Sequence, residues 1–321
     1  PGIIHDVSSC KGGVQTVSGY VDHRGVVVDD LDMAQIDKAF SAFEKEKILN
    51  TAVISKFSTR NPDHETSIGS KLLKKFGQVT LGHRMSGTLN FPRRVFTSYL
   101  NSAVSTQFET FLRHMEASLA KKGISAPLYI LKADAGTMER QGALEKPVET
   151  ILSGPAASFL GMSALIPGGE DAILLDIGGT TTDIFFLADG VPLFEPLGAT
   201  ISEYRTLVRA IYSVSIGMGG DSSITVEKGK LKIGPLRVGR AYAFGGEYPT
   251  PTDAMICLGL IKVGREEKER AEVSMSALAK ELALSGEEAG MLILRTMASR
   301  IKAKNDDLLL GINSKPVYTM K

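Results

Sequence analysis

The stretch Asp171-Ala-Ile-Leu-Leu-Asp176-Ile-Gly-Gly-Thr-Thr-Thr-Asp183-Ile-Phe-Phe-Leu-Ala-Asp-Gly190 decides the fold of this chain. It contains two short apolar runs, 172–175 and 184–187, rich in branched and aromatic residues. Runs of this length and composition are typical of strands that are buried on both faces. The pattern therefore predicts two buried strands joined by a tight polar turn.

The polar turn has the chemistry of a phosphate and metal site. Gly178 and Gly179 permit backbone angles that are closed to other residues, so a sharp turn can direct several N–H groups toward one point. Asp176, at the end of the first strand, suits Mg²⁺ directly or through water. Hydroxyl donors and a second carboxylate follow: Thr180, Thr181, Thr182 and Asp183. We predict a metal–nucleotide site here, and the alternative is an ordinary hairpin with a Gly-Gly turn and solvated caps.

The spacing Asp-x-Gly-Gly-Thr-x-x-Asp over residues 176–183 is similar to the second phosphate loop of the actin, sugar-kinase and heat-shock ATPase superfamily. This resemblance implies an α/β chain with the two-domain actin-like, ribonuclease H-like ATPase fold, in which mixed sheets carry flanking helices. Nucleotide would lie in the cleft between the domains. We expect a first α/β domain over 1–166, incomplete because it lacks an N-terminal phosphate hairpin. The second domain then covers 167–321 and contains the hairpin 171–190.

Two candidate site segments precede the hairpin. A buried strand predicted at 128–131 runs into a polar end that contains Asp134, and ligands gather at the carboxyl ends of strands in open α/β sheets. A turn-capping role explains Asp134 equally well. Further on, Ser153 and Gly154 open a predicted helix with Ser153 as its N-cap, and helix N-termini attract anions.

A third glycine cluster follows the hairpin. Gly217, Gly219 and Gly220 come after a strand-like run at 211–214. The cluster is a candidate for nucleotide or substrate binding if it faces the same cleft as the other two glycine turns. A plain strand-to-strand turn is the alternative.

The composition gives no electrostatic reason to expect nucleic acid or acidic membranes as partners. The 321 residues are enough for two domains, with 43% hydrophobic residues, 23% charged residues and a formal net charge of +1. We find no apolar run that would span a bilayer and no signal segment. The two cysteines, Cys10 and Cys257, form neither a disulfide framework nor a zinc pattern, so a reducing cytoplasm is expected.

Periodicity predicts strands and helices that alternate around a parallel sheet before residue 82. The expected strands are 14–21, 26–28, 51–54 and 79–81, and the expected helix starts are Asp30 or Asp32, Asn61-Pro62 and Asn90. Toward the end of the chain we expect short strands at 230–233 and 236–238, a helix capped by Thr252 or Asp253, and a last helix opened by a capping box at Ser285.

Five motifs, in the same order, resemble the hydantoinase A and oxoprolinase family. They are His83-Arg-Met-Ser-Gly-Thr-Leu-Asn-Phe-Pro92, Pro147-Val-Glu-Thr-Ile-Leu-Ser-Gly-Pro-Ala156, the 176–183 turn, Ile216-Gly-Met-Gly-Gly-Asp-Ser222 and Pro249-Thr-Pro-Thr-Asp-Ala254. The run from Pro147 is more specific than the phosphate loop, which many ATPases share. Residues 14–82 resemble the region that precedes these motifs.

The resemblance implies ATP-dependent chemistry on a small molecule, with Mg²⁺ bridging the phosphates. Family members open hydantoin or 5-oxoproline rings, and relatives in ketone carboxylases phosphorylate an enol or enolate. The shared step would transfer the γ-phosphoryl group to a substrate oxygen. On this basis Asp176 and Asp134 are the candidate catalytic residues and Asp176 the candidate metal ligand. The expected nucleotide contacts are Gly178, Gly179, Thr180, Thr181, Thr182, Asp183, Ser153, Gly154, Gly217, Gly219 and Gly220.

Two departures from the family pattern leave alternatives open. We find no first phosphate loop before residue 82 and no adenosine-binding turn before residue 321, so a fragment of a longer protein is expected, with weak ATP binding. Missing parts supplied by another chain, or lost nucleotide binding, are the alternatives. A small-molecule kinase and a non-catalytic subunit of a larger complex are the alternative functions. Relatives work beside a second subunit, so a partner subunit or an oligomer is expected.

Three other side chains are weaker candidates. His83 precedes the turn Ser86-Gly87 and would face the cleft, or pack as an ordinary histidine. Arg93 and Arg94 would pair with a substrate carboxylate, or lie solvated on the surface. A P-loop and a Gly-x-Ser-x-Gly elbow are absent from the sequence.

Overall fold

The computed structural model describes residues 13–166 and 169–309. The predictions about Cys10 and about the end of the chain lie outside these residues, and the junction expected near residue 166 lies partly outside them. Within the described residues, the chain is a mixture of helices and of parallel and antiparallel strands, so the α/β class with mixed sheets is confirmed.

Helices and strands alternate irregularly along the chain. The first half contains β1 (Tyr20–Val21), β2 (Val27–Asp29), α1 (Met33–Lys45), β3 (Asn50–Val53), α2 (Asp63–Leu72), β4 (Gln78–Leu81), α3 (Gly82–Met85), α4 (Phe91–Lys121), β5 (Tyr129–Leu131), β6 (Thr137–Glu139), α5 (Arg140–Glu145), a 3₁₀ helix (Pro147–Thr150) and α6 (Ser153–Ser163). The second half contains β7 (Ala172–Ile177), β8 (Thr182–Ala188), β9 (Val191–Pro192), β10 (Thr200–Ile201), β11 (Tyr204–Arg205), β12 (Ser213–Ile216), β13 (Ile224–Glu227), β14 (Lys230–Ile233), a 3₁₀ helix (Tyr242–Phe244), α7 (Pro251–Cys257), α8 (Arg265–Leu282) and α9 (Gly286–Leu308).

Contacts divide the chain into two compact units. Unit 1 comprises Pro1–Gly161 and Phe194–Tyr212, and unit 2 comprises Met162–Leu193 and Ser213–Lys321. The predicted boundary between 1–166 and 167–321 stays a prediction. No pattern in the sequence predicts that residues 194–212 belong with unit 1.

Long-range hydrogen bonds hold residues 194–212 within unit 1. The Nη1 atom of Arg93 donates to three backbone carbonyls of this segment, those of Leu197, Gly198 and Thr206, at 2.9–3.0 Å. The N–H of Ile211 donates to the carbonyl of Ala133 at 3.0 Å. Arg93 therefore has a structural role through Nη1, and the expectation that it pairs with a substrate carboxylate stays a prediction.

Unit 1 contains one parallel strand pair, β3–β4, and two antiparallel pairs in its first half, β1–β2 and β5–β6. The prediction of a parallel sheet is therefore confirmed only for β3 and β4. The first two strands pair with each other, and the Asp22 carboxylate accepts the N–H groups of Arg24 and Val26 and so closes the tight turn between them. Against β3 and β4, helices α1 and α2 bury an apolar cluster: Ile36, Phe40, Ile68, Leu72 and Phe76.

Unit 2 is built on an antiparallel sheet with the order β12-β8-β7, and β9 pairs with the other part of β8. The predicted strands of the hairpin are both present. Ile184 and Phe185 point to opposite faces of β8 and are both 0% exposed, so the expectation of strands buried on both faces is confirmed for β8. On one face, Leu175 and Ile216 pack against a cluster contributed largely by α8 and α9.

Two local expectations for unit 2 are wrong. Residues 236–238 form no strand, because the partner of β14 is β13, which was not predicted. Helix α7 is capped by Thr250, whose hydroxyl accepts the Asp253 N–H, and the Asp253 carboxylate accepts the Thr250 N–H in return. Thr252, one of the two expected caps, instead donates both its N–H and its hydroxyl to the carbonyl of Gly220.

Candidate functional site

The turn between β7 and β8 presents polar groups at the end of the sheet. It is closed by a 2.9 Å hydrogen bond from the N–H of Gly178 to the carbonyl of Thr181. Gly178 and Thr180 are exposed. Within the described part of the chain, the N–H groups of Gly179 and Thr180 have no hydrogen-bond acceptor. The turn therefore offers backbone donors to a ligand, as the sequence predicts.

A row of polar side chains crosses the sheet beside this turn. Asp176 on β7 is the register partner of Asp183 on β8, which in turn pairs with Ser215 on β12. Directly paired residues place their side chains on the same face of a sheet, about 5 Å apart at Cβ. Both aspartates are partly exposed. Two facing carboxylates repel each other, and a bound cation would remove that repulsion.

The third glycine cluster docks onto the backbone of the turn. The N–H of Gly220 donates to the carbonyl of Gly178 at 2.8 Å, and the N–H of Asp221 donates to the carbonyl of Gly179 at 2.7 Å. A Cβ atom added at Gly219 would lie 2.5 Å from the Gly178 oxygen, so only glycine fits this approach. The structure thus brings the second and third glycine segments together.

Two members of the predicted set have structural roles in this arrangement. The hydroxyl of Thr182 is buried and donates to the carbonyl of Met218 at 2.8 Å, which anchors the glycine cluster. Gly217 lies against Pro235, whose Cβ would be 3.2 Å from a Cβ at this position. Gly217 therefore packs against Pro235 and has a structural role in the glycine cluster.

Arg237 completes the site and was missed by the sequence analysis. Its Nη2 atom pairs with Oδ2 of Asp221 at 2.8 Å, and its Nη1 atom donates to the hydroxyl of Thr180 at 3.3 Å. The guanidinium remains about half exposed. An arginine held next to a turn with available N–H groups adds positive charge suited to phosphate oxygens. Arg237 stands alone in an aperiodic segment, so no sequence pattern marks it.

The residues at the turn fit a phosphate-bearing ligand that carries Mg²⁺. Available N–H groups, threonine hydroxyls and a guanidinium suit the anion, and the facing carboxylates of Asp176 and Asp183 suit the cation. Among residues 13–166 and 169–309, no group of three or more His, Cys, Asp or Glu side chains is placed to hold a metal ion. A Mg²⁺ ion bound through phosphates needs only one or two protein carboxylates.

Asp134 lies in unit 1, in the tight turn between β5 and β6. Its carboxylate accepts the N–H of Gly136 at 3.0 Å and pairs with Nζ of Lys132 at 3.2 Å, while Lys132 also lies 3.4 Å from Glu149. Burial alone would lower the pKa of the Lys132 ammonium, but Asp134 and Glu149 outweigh this effect and raise it. The geometry matches the turn-capping alternative, and a catalytic role for Asp134 stays a prediction.

Ser153 and Gly154 also belong to unit 1. Helix α6 begins at Ser153 itself, so this residue occupies the first helical position, where an N-cap was expected. Gly154 is exposed, with open space where a Cβ would be. Their proposed contact with nucleotide stays a prediction.

Arg94 is a buried structural residue. Its side chain is 0% exposed and donates to the backbone carbonyls of Thr88, Ser55 and Lys56 at 2.8–2.9 Å. The expectation that Arg94 binds a substrate carboxylate, or lies solvated on the surface, is therefore wrong.

The fold and this turn define an α/β protein with an Asp-x-Gly-Gly-Thr turn between two antiparallel strands. The chain belongs to the hydantoinase/oxoprolinase family: residues 94–312 match the family's main domain, and residues 3–76 match its N-terminal region. The resemblance inferred from the motifs is confirmed.

Named relatives act on a lactam and on a ketone. The chain is 27% identical over 310 residues to the caprolactamase subunit alpha of Pseudomonas jessenii, an alignment that covers 92% of this chain and 44% of the relative. It is 22% identical to the acetophenone carboxylase gamma subunit of Aromatoleum aromaticum, covering 88% of this chain and 42% of that one. The chain thus spans less than half the length of these relatives.

A solved structure shows the same fold. The nucleotide-free structure of acetone carboxylase, from work on ATP-dependent acetone carboxylation, superposes with a TM-score of 0.77 at 19% identity. The match covers 94% of this chain and 45% of that one. Among residues 13–166 and 169–309, no helix is long and apolar enough to cross a bilayer.

Proposed function

We propose that this chain is the nucleotide-binding part of an ATP-dependent hydrolase that phosphorylates the carbonyl oxygen of a cyclic amide and so activates it for ring opening. The observation that supports the proposal most is the turn Gly178–Thr181, with backbone donors available, Arg237 beside it and two facing carboxylates below it. An amide oxygen is a poor nucleophile and an amide carbon a poor electrophile, so conversion to a phosphate ester makes water attack feasible.

Each group at the turn has a defined role in this proposal. The N–H groups of Gly179 and Thr180 hold phosphate oxygens, and Arg237 neutralises charge that develops during transfer. Asp176 and Asp183 hold Mg²⁺ or its water ligands. When bound there, Mg²⁺ would supply positive charge that neutralises the phosphate oxygens. The N–H groups of Gly220 and Asp221 hold the turn through the carbonyls of Gly178 and Gly179, and Gly219 permits this close approach because it has no side chain.

A hydrolase is favoured over a carboxylase by the greater similarity to the caprolactamase subunit, 27% against 22% for the carboxylase subunit. The carboxylase reaction, in which an enolate oxygen is phosphorylated, is the second candidate and uses the same phosphate site. A second subunit is part of the proposal, because both of these relatives are subunits by name. The two-domain division near residue 166 and a cytoplasmic location also stay proposals.

Calorimetric titration with Mg-ATP, followed by ATP hydrolysis assays with lactams, tests the proposal. We expect ATP hydrolysis to rise when caprolactam, hydantoin or 5-oxoproline is added, and to stay at its basal rate with acetophenone or acetone. Stimulation by the ketones and bicarbonate alone would favour the carboxylase. Release of a stable phosphorylated product would identify a kinase.

Asp176→Ala separates a metal role from a structural one. We expect this variant to keep its fold, measured by thermal melting, and to lose lactam-dependent hydrolysis. Asp306→Ala, on the surface of α9, is the matched control because its carboxylate is exposed and pairs with Lys302 on the same helix. Full activity in Asp176→Ala would contradict the proposed site.

A further inference from the structure

A histidine–glutamate pair in unit 1 has the geometry of a proton-transfer site. The Nδ1 atom of His83 lies 2.7 Å from Oε2 of Glu65. The Glu65 side chain is 0% exposed, whereas the His83 side chain is 18% exposed. A carboxylate accepts only, so Nδ1 carries the proton in the neutral ring and Nε2 is left as the basic atom. Nε2 has no hydrogen-bond partner in the described part of the chain.

The backbone fixes the Glu65 carboxylate in one orientation. Its Oε1 atom accepts the N–H of Ser55 at 2.7 Å, and its Oε2 atom accepts the N–H of His83 at 2.8 Å. A Cβ added at Gly82 would lie 2.9 Å from Oε1, so the carboxylate sits close against the backbone of α3. A carboxylate fixed in this way holds the imidazole ring in one rotamer and one tautomer.

The charged groups that face this pair come from the elements packed around it. Arg94 of α4 is buried, and its pKa is lowered by burial and raised in part by the charge of Glu65. Among the residues that the structure describes, its Nε atom has no hydrogen-bond partner, and neither does the buried hydroxyl of Ser55. Lys56 follows Ser55 in the loop after β3, and Arg84 follows His83 in α3. Among these groups, the buried guanidinium of Arg94 interacts electrostatically with Glu65.

The position of the pair in the fold is that of a ligand site. Strands β3 and β4 are parallel, with Val53 aligned to Leu81 at their carboxyl ends. Ser55 follows the end of β3, and His83 follows the end of β4. Ligands in open α/β sheets gather beyond the carboxyl ends of parallel strands.

We propose that His83 is a general base and acid in the ring-opening half of the reaction, and that Glu65 is its positioning residue. This inference rests on the proposed function, because ring opening consumes water and moves protons. The substrate at this step is an O-phosphorylated cyclic amide.

In the ring-opening step, each proton that leaves water ends on the ring nitrogen. The oxygen of a water molecule bonds to the activated carbon while Nε2 accepts one of its protons, and the imidazolium returns that proton to the ring nitrogen. The C–N bond then breaks with its electron pair on nitrogen, which takes the remaining hydroxyl proton, again by way of Nε2. The acyl phosphate that is left loses phosphate to a second water, giving an amino acid and inorganic phosphate.

Two substitutions at His83 separate proton transfer from packing. His83→Asn keeps a donor at the position of Nδ1 and so preserves the bond to Glu65, but it lacks Nε2. We expect lactam-dependent ATP hydrolysis to fall about 100-fold in kcat with little change in KM. His83→Ala should fall similarly and regain about tenfold on addition of free imidazole. Glu65→Gln should lower kcat, and the double variant Glu65→Gln/His83→Ala should show no imidazole rescue.

His114→Asn is the matched control, because His114 is exposed on α4 and far from the pair in sequence. A His83→Asn variant with at least half the wild-type kcat would overturn the inference, as would the absence of imidazole rescue in a folded His83→Ala variant. These results differ from failure of the proposed function, in which the wild-type protein itself shows no lactam-dependent hydrolysis.

A chemical measurement tests the pair without any substrate. Diethyl pyrocarbonate acylates unprotonated imidazole nitrogens, and peptide mass spectrometry reports the rate at each histidine. We expect His83 to be acylated, because its side chain is partly exposed and Nε2 has no partner in the described part of the chain, and we expect Glu65→Gln to change the rate at His83 but not at His114. No acylation of His83, or the same rate with and without the Glu65 carboxylate, would overturn the inference whatever the activity of the protein.

Discussion

Asp176 and Asp183 face each other across the antiparallel pair β7–β8 as direct register partners, with no cationic residue in their row. Like charges in this arrangement destabilise a sheet by about 0.5 kcal/mol. We expect Asp183→Asn to raise the melting temperature of the free protein and to reduce the stabilisation that Mg²⁺ and ATP confer. Ser215→Ala, in the same row without a charge, is the control and should change neither quantity in differential scanning fluorimetry. A lower melting temperature for Asp183→Asn would contradict this account.

Gly219→Ala should separate the glycine cluster from the phosphate turn. The added methyl group meets the carbonyl of Gly178 at 2.5 Å, and a clash with backbone is relieved only when the two segments move apart. The expected cost is about 2 kcal/mol in the free energy of unfolding, together with loss of ATP binding by calorimetry. Gly286→Ala, where a Cβ meets nothing within 4 Å, is the control. Unchanged ATP affinity in Gly219→Ala would show that the docking of the cluster does not shape the site.

Arg237→Lys is expected to weaken ATP binding about tenfold without altering thermal stability. A lysine keeps the charge but reaches only one of the two partners, Asp221 and Thr180, that the guanidinium bonds at once. Since the side chain is about half exposed, its packing contributes little. Titration calorimetry on this variant and on Arg265→Lys, at the start of α8, gives the comparison. Equal ATP affinity in the two variants would show that Arg237 does not contribute to the site.

Asp253 holds the start of α7 in place, and its removal should be strongly destabilising. The carboxylate is 0% exposed and accepts the N–H groups of Tyr242, Ala243 and Thr250, as well as the Thr250 hydroxyl. Asp253→Ala leaves these buried donors without acceptors, so we expect a loss on the order of 3 kcal/mol in chemical denaturation. Asp189→Ala, on an exposed turn, should cost far less. A loss below about 1 kcal/mol for Asp253→Ala would show that water replaces the carboxylate.

The Lys132 cluster should give a stability difference that depends on alkaline pH. Its pKa is raised in the folded protein, so its contribution is fully present below the ordinary lysine pKa and is lost as pH rises through the higher folded value. Lys132→Met is therefore expected to be less stable than the wild type at pH 7 and to approach it above about pH 11. Urea denaturation at several pH values measures this. A constant difference across pH would show that Lys132 acts through packing.

The elements that the sequence predicts well are those whose signals are local. The hairpin around Asp176 and the capping box at Ser285 depend on neighbouring residues, and both are present in the structure. Arg237 could not be predicted, because its partner Thr180 is 57 residues away and no periodicity links them. Asn90 caps α4 as expected. Arg93, three residues later, bonds the distant carbonyl of Thr206, and no local pattern predicts this contact.

The passage of residues 194–212 through unit 1 determines when the phosphate turn can be completed during synthesis. A nascent chain that ends at Leu193 has the hairpin of β7 and β8 but lacks β12 and the glycine cluster on which the turn rests. Residues 194–212, which belong to unit 1, emerge from the ribosome before β12 and the glycine cluster. Because proteins are made from the N-terminus, the unit that holds Glu65 and His83 is complete in sequence before the phosphate site exists. In a series of nascent chains of increasing length, we therefore expect unit 1 to become resistant to proteases before the chains gain any affinity for ATP.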